Sequence, residues 1–299
     1  MMQAVRAKAS GRRKAVLVAS LDCATAFQRI ARDCVAGIEA HDGGACAGDA
    51  EAVHRIRIAI TRLRAAVSFF APIAVDAEWL RLKQEIAWLN ASLGAARDSD
   101  VMVEYARRRR YQAWAGGAIG ADLDRRRTQD HRRLVRCLRS ARDRRLIDAL
   151  SVWTGQGPWL ARWEMAVRRG DAEPLQAYCE RELNRRRERL IRNGRHPSSL
   201  NAARRHHLRI RAKRFRYMLE ALTDILAIRS HAEVRQVRSA AKRLQRTLGD
   251  WRDLRRFAGL SPSADKRDKC RPPGYRRQQD KLRSAAARAW RDLKQAGAC

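Results

Sequence analysis

The chain has 299 residues, 65 Lys+Arg against 32 Asp+Glu, and a formal net charge of +33; nine of the basic residues are Lys, which leaves 65 − 9 = 56 Arg. An apolar share of 45% with eight Trp argues for a packed core rather than wholesale disorder, the length suits two modest domains or one duplicated one, and no run approaches the ~18 apolar residues of a transmembrane helix. So large a surplus repels itself unless something anionic answers it, so acidic substrates, nucleic acid or a phosphate polymer lead the partner classes.

In chain order, residues 1–14 form a basic lead ending in Gly11-Arg12-Arg13-Lys14. The apolar stretch Ala15 to Leu21 faintly resembles a signal peptide, but it is short, and Asp22-Cys23 gives no small-residue cleavage site. It reads instead as the approach to a first helix. From there the sequence is Ala-, Leu- and Arg-rich with no β-branched runs, which predicts an all-α protein. Breaks are expected at His41–Gly48, Ala71-Pro72, Gly116–Gly120, Thr154–Pro158, Gly170–Pro174, Asn193–Ser199 and Ser261–Gly274, where Gly, Pro, Ser and Asn gather. They delimit about eight helices, divided near Gly155–Pro158 into a first half over 15–154 and a second over 158–295. The cysteines, at positions 23, 34, 46, 137, 179, 270 and 299, are odd in number, scattered and without a Cys-x-x-Cys pair. That pattern disfavours a disulfide framework and a zinc site and suits a reducing cytosol.

The halves repeat each other. Val53-His54-Arg55-Ile56-Arg57 through Arg64 aligns with Arg205-His206-His207-Leu208-Arg209 through Arg216 at an offset of 206 − 54 = 152. Leu93-Gly94-Ala95-Ala96-Arg97-Asp98 aligns with Leu248-Gly249-Asp250-Trp251-Arg252-Asp253 at 248 − 93 = 155. Two matches in the same order at nearly the same offset point to internal duplication.

At about 100° per residue, His54, Arg57, Thr61 and Arg64 fall within an arc of about 80°, opposite Ile56, Ala59, Ile60, Leu63, Val67 and Phe70. In the second repeat His206, Arg209, Lys213 and Arg216 share one stripe, opposite Leu208, Ala212, Phe215, Leu219 and Leu222. Arg62, Arg214 and Tyr217 flank the stripes. A charge row on an amphipathic helix is ordinarily its solvated face. Here no carboxylate relieves the row until Glu220, like charges at these spacings cost a few tenths of a kcal/mol each, and the row is built twice. Arg suits phosphate because its planar fork donates two parallel hydrogen bonds and stays charged. A His at the stripe's end can donate a neutral hydrogen bond or take up charge beside an anion; the plainer alternative is a histidine packed against a neighbour.

These motifs resemble the CHAD family, the conserved histidine α-helical domain, over roughly residues 15–295. The carriers are Val53-His54-x-Ile56-Arg57-Ile58 with Arg62-Leu63-Arg64, and His206-x-Leu208-Arg209-Ile210 with Lys213-Arg214-Phe215-Arg216-Tyr217. The turns Leu93-Gly94-x-x-Arg97-Asp98-x-Asp100-Val101 and Leu244-Gln245-x-x-Leu248-Gly249-x-x-x-Asp253 complete them. The resemblance implies two four-helix bundles related by a pseudo-two-fold, a basic channel between them that binds inorganic polyphosphate, and association with polyphosphate granules. It makes His54, Arg57, Arg62, Arg64, His206, Arg209, Lys213, Arg214 and Arg216 the expected binding residues, with Arg97, Tyr217 and Lys242 in a second tier. Thr61 departs from the family, which usually has a basic residue there, so the first stripe is one charge weaker than the second.

Asp98-Ser99-Asp100 could ligate a metal, but short side-chain oxygens there read as the cap of a helix beginning at Val101, and Asp253 reads likewise. Gly94 and Gly249 suit a close helix approach or a C-cap. There is no P-loop, no His-x-x-x-His zinc pair and no carboxylate pair within the stripes to hold magnesium, so no catalytic residue, metal or cofactor is assigned. The runs Arg107–Arg110, Arg125–Arg127 and Arg185–Arg187 read as solvated faces. The expectation is therefore a cytoplasmic, non-catalytic polyphosphate-binding protein. The alternative is a protein that compacts nucleic acid, which charge alone allows but for which no aromatic ladder or recognition helix is present. An enzyme with His54 or His206 as phosphoacceptor is the least favoured reading.

Overall fold

The computed structural model describes residues 21–223, 231–260 and 271–296. The basic lead over 1–14, most of the expected break at Ser261–Gly274, and Cys270 and Cys299 lie outside them. Every regular element in the described residues is a helix. In chain order they are α1 (Cys23–Cys46), α2 (Ala50–Phe69), α3 (Ala71–Ala74), α4 (Ala77–Ala106), α5 (Gln112–Ala115), α6 (Ala118–Leu138), α7 (Ala141–Gln156), α8 (Pro158–Arg168), α9 (Leu175–Asn193), α10 (Ala202–Ala221), α11 (His231–Ala258) and α12 (Tyr275–Gln295). Two of them, α3 and α5, are single turns, so the long helices still outnumber the eight expected.

The starts follow from short acceptor side chains that satisfy free N–H groups. Asp22 accepts from the Thr25 amide, Asp49 from Glu51, Asp76 from Trp79, Ser140 from Asp143 and Asn201 from Arg204. The break expected over His41–Gly48 is narrower: α1 continues through Gly43 and Gly44 to Cys46, and the chain turns at Gly48, whose φ of +86° suits a residue without a Cβ.

Both apolar faces read from the sequence are buried. Ile56, Ile60, Leu63 and Val67 of α2, and Leu208, Ala212, Phe215 and Leu219 of α10, face the core. The helices group by packing. α1 lies along α2 and against α7, and α4 lies on α2, α6 and α7. In the other group α11 lies on α10 and α12, and α9 lies on α10. α2 against α10, α4 against α11 and α1 against α9 join the groups. α8, just after the expected division, packs back on α3, and its buried Trp159 enters a cluster with Phe27 and Trp153.

Part of the Arg185–Arg187 run is structural rather than a solvated face. Arg186 donates to Glu182 at 2.6 Å and to the carbonyl of Ser68, while Tyr178 donates to the carbonyl of Phe69 at 2.7 Å, so α9 is tied to the end of α2. Arg187 reaches the carbonyls of Leu293, Lys294 and Ala296 and holds the end of α12. Backbone carbonyls left free at helix ends invite such donors.

Candidate functional site

The two stripes face each other. Lys213 Nζ on α10 donates to Thr61 Oγ1 on α2 at 3.0 Å, and the Thr61 hydroxyl in turn donates to the carbonyl of Arg57 at 2.7 Å. Arg57 lies within electrostatic reach of Arg209 and of Lys213. The facing residues differ by 213 − 61 = 152 and 209 − 57 = 152, the offset of the sequence repeat.

The glycines of the second motif seat the stripe arginines. A Cβ on Gly94 would lie 3.1 Å from Arg57 Nη1, and one on Gly249 would lie 3.2 Å from Arg209 Nε. This is the close-approach reading; the C-cap reading fails, because Gly94 and Gly249 sit within the continuous helices α4 and α11. The N-cap reading of Asp98, Ser99 and Asp253 fails with it. A glycine costs a helix roughly 1 kcal/mol against Ala, and burial of Leu89, Leu93, Ala96 and Val103 along one face of α4 outweighs that. The Ser99 hydroxyl donates back to the carbonyl of Ala96 at 2.9 Å. Asp98 accepts instead from Arg252 at 2.9 Å and pairs with Arg256, and Arg252 also pairs with Asp253 at 3.4 Å, so these residues fasten α4 to α11 beside the seam.

Within the seam, positive charge is under-compensated. Arg57 Nη1 and Arg209 Nε are buried without a hydrogen-bond partner. Burial lowers the pKa of both; Arg252 adds to this at each and Arg209 adds to it at Arg57, while Asp98 offsets it at Arg57 and Asp253 and Asp98 offset it at Arg209. Lys213 is pushed down to about 7, first by burial and then by Arg209, Arg57, Arg216 and Arg252. Partly buried His54 is lowered by desolvation and then by Arg97; His206, more exposed at the same end of α10, is lowered by desolvation and then by Arg252 and Arg209. Unpaired buried donors on charged groups are costly. Oxygen acceptors placed between α2 and α10 would satisfy these two donors.

Beyond Thr61 and Lys213, Arg216 and Arg62 are answered from within. Arg216 donates to Gln245 at 2.6 Å and to Glu220, and Arg62 comes within 3.7 Å of Glu220. Buried Tyr217 lies beneath Arg216, Arg62 and Lys213, with charge-to-ring distances of 4.3, 5.4 and 5.6 Å. Arg214 is lowered by burial and then by Arg64 and Arg186. Arg97 stands by His54, whereas Lys242 is exposed on α11, about two turns before Gly249. Arg252 was missed in the sequence, although the repeat offset makes it the counterpart of Arg97: 97 + 155 = 252.

The sequence model of the CHAD domain family matches residues 29–261. Among solved structures, the crystal structure of the CHAD domain from the plant Ricinus communis superposes with a TM-score of 0.71 at 21% identity, covering 93% of this chain and 95% of that one. PptA from Streptomyces chartreusis superposes with a TM-score of 0.59 at 15% identity, covering 92% and 99%. No curated protein matches the chain. At these identities the structural likeness concerns the fold.

Proposed function

The chain belongs to the CHAD domain family, which is associated with polyphosphate binding, and on that footing we propose that the seam between α2 and α10 binds inorganic polyphosphate without turning it over. The observation that carries this reading is the pair of partly buried guanidinium groups, Arg57 on Gly94 and Arg209 on Gly249, each with one buried N–H lacking an acceptor. Bridging and terminal phosphate oxygens supply such acceptors, and the guanidinium fork fits their geometry. Lys213 completes the centre, His54 and His206 stand at one end with Arg97 and Arg252, and Arg62, Arg64, Arg214 and Arg216 extend the path past Tyr217. Lys242 contributes only through its long-range charge. Binding releases counterions from the chain, as it does for other polyanions.

The facing of residues 152 apart supports a pseudo-two-fold between α2 and α10, and with it the duplication of a half over 15–154 in a half over 158–295. Non-catalytic action is supported by the carboxylates beside the seam: Asp98 and Asp253 are engaged by Arg252 and Arg256 rather than placed to activate water. Incubation with long-chain polyphosphate and magnesium should leave chain length unchanged over hours. Orthophosphate release that disappears in Arg209→Gln would overturn that part of the proposal. The physiological role that follows is a cytoplasmic one, attaching the protein to polyphosphate granules or organising them.

The test of the reading is competition. Labelled polyphosphate on the protein is challenged with duplex DNA and single-stranded RNA at ~150 mM salt, where charges beyond ~8 Å are screened. A thin flexible anion enters a seam between helices and a duplex does not, so polyphosphate should persist where DNA is stripped. Equal displacement per charge would favour bulk attraction by the net charge of +33 instead.

A further inference from the structure

α6 carries a second basic surface, away from the stripes. A groove of about 1240 Å³ lies between α6 and residues 46–48, the turn that leads into α2. Arg125, Arg127, His131, Arg132, Arg133 and Arg136 line it, and Asp124 is the carboxylate among its lining residues. At about 1.5 Å per residue, Arg125 to Arg136 extends roughly 16 Å along the helix.

Two of the lining side chains are held by a buried carboxylate outside the lining. The Asp100 side chain, only 4% exposed, accepts at Oδ1 from Arg127 Nε at 2.8 Å and lies 2.9 Å from His131 Nε2. Held through Nε, Arg127 keeps both terminal amino groups outside that bond. His131, 11% exposed, has a buried Nδ1 without a partner. Burying a carboxylate is expensive, and here it fixes two nitrogen-bearing side chains of one wall. The expected solvated face over Arg125–Arg127 holds in part: Arg125 and Arg126 pair with half-buried Asp122, but Arg127 is fastened to Asp100.

Two stretches of chain lead from the groove toward the His54 end of the seam. Asp100 is three residues, about one turn of α4, beyond Arg97, the neighbour of His54. Residues 46–48 lie just before α2, and His54 is only about 6 Å along the axis from its first residue.

We propose that the α6 groove is a second phosphate-chain site, continuous with the seam at its His54 end, which holds the stretch of a long polyphosphate that extends beyond α2 and α10. This rests on the polyphosphate reading of the seam, and it makes affinity depend on chain length. Three variants separate the outcomes. Arg132→Gln/Arg133→Gln/Arg136→Gln strips exposed charges from the groove, Arg168→Gln/Arg169→Gln/Arg192→Gln strips the same charge from exposed positions elsewhere, and Arg209→Gln alters the seam. Each is titrated with tripolyphosphate and with long-chain polyphosphate over a range of salt. The groove variant should bind tripolyphosphate as the parent does, lose about ten-fold or more for long chains, and lower the salt slope for long chains by about 0.7 per contact. Equal long-chain losses in the groove and control variants, or no loss in either, would overturn the groove while a defect in Arg209→Gln leaves the seam standing. Undiminished binding of both probes by Arg209→Gln would overturn the seam, and the continuity claimed here with it.

Discussion

The two stripes match at one end and part at the other. Near the histidines each half presents an arginine seated on a glycine, Arg57 on Gly94 and Arg209 on Gly249, and each has a buried N–H without an acceptor. In the middle Thr61 meets Lys213, a hydroxyl against an ammonium. At the far end Arg216 is held by Gln245 and Glu220, whereas its counterpart Arg64 stands beside Arg214. A count of charges weights these positions equally; their partners do not. Charges already answered by a carboxylate have less to gain from an anion than charges whose donors are idle.

The largest expected effect comes from removing the matched pair. Arg57→Gln with Arg209→Gln should weaken polyphosphate binding by about two orders of magnitude or more, since each charge-assisted contact contributes roughly 1.5–3 kcal/mol. The same change at exposed Arg107 and Arg109 should cost a few-fold, the screened long-range part. Equilibrium binding at fixed salt compares the two, and thermal melts of the free proteins add a second reading. The seam variant should melt close to the parent, because burial of charge and mutual repulsion, which outweigh the attraction to Asp98 and Asp253, are lost together with it.

A pH titration tests the unequal middle. With Lys213 held at about 7, its proton is lost in the free protein as pH rises through that value, and a bound anion restores it. Binding should therefore take up protons and tighten several-fold from pH ~8 to pH ~6. His54 and His206, both held below the ordinary 6.5, continue the trend at lower pH. Lys213→Arg should flatten the upper part of the profile. The unfolded chain keeps the Lys213 proton up to its ordinary 10.5, so this group makes the free protein's stability rise with pH between about 7 and 10.5. Melting temperatures of parent and Lys213→Arg across that range measure the effect.

Gly94→Ala and Gly249→Ala ask whether the matched end is equivalent in both halves. Each added methyl displaces a guanidinium by a few tenths of an ångström, so each variant should bind polyphosphate a few-fold more weakly. Helix stability should hold or rise, because Ala is favoured over Gly by about 0.5–1 kcal/mol within a helix. The smallest effect is expected from Thr61→Arg, which restores a basic residue to the first stripe. It should strengthen binding a few-fold and lower the melting temperature of the free protein, since the new charge faces Lys213.

Periodicity made the architecture legible, because an apolar face at helical spacing has few fates other than burial. It placed Ile56 and Leu63 of α2, and Leu208 and Phe215 of α10, in the core, where they lie. Local punctuation was less reliable. Gly94 followed by Asp98-Ser99 has the chemistry of a helix stop and restart, yet tertiary burial along α4 carries the helix through it. Partners on the backbone left no trace in the sequence, which is why Arg186 and Arg187 looked solvated although they hold the ends of α2 and α12. The groove was hidden for a related reason: residues 46–48 and α6 meet only in the fold, and an arginine run reads the same whether it faces open solvent or a walled channel. Arg252 could have been found, since the offset of the repeat leads from Arg97 straight to it.

The most direct test of the central claim is a crystal structure of the chain with tripolyphosphate bound. The account predicts phosphate oxygens within hydrogen-bonding distance of Arg57 Nη1, Arg209 Nε and Lys213 Nζ, supplying the acceptors that the two guanidinium groups lack. Phosphate bound on exposed arginines such as Arg107 or Arg109, with the seam between α2 and α10 empty, would contradict it.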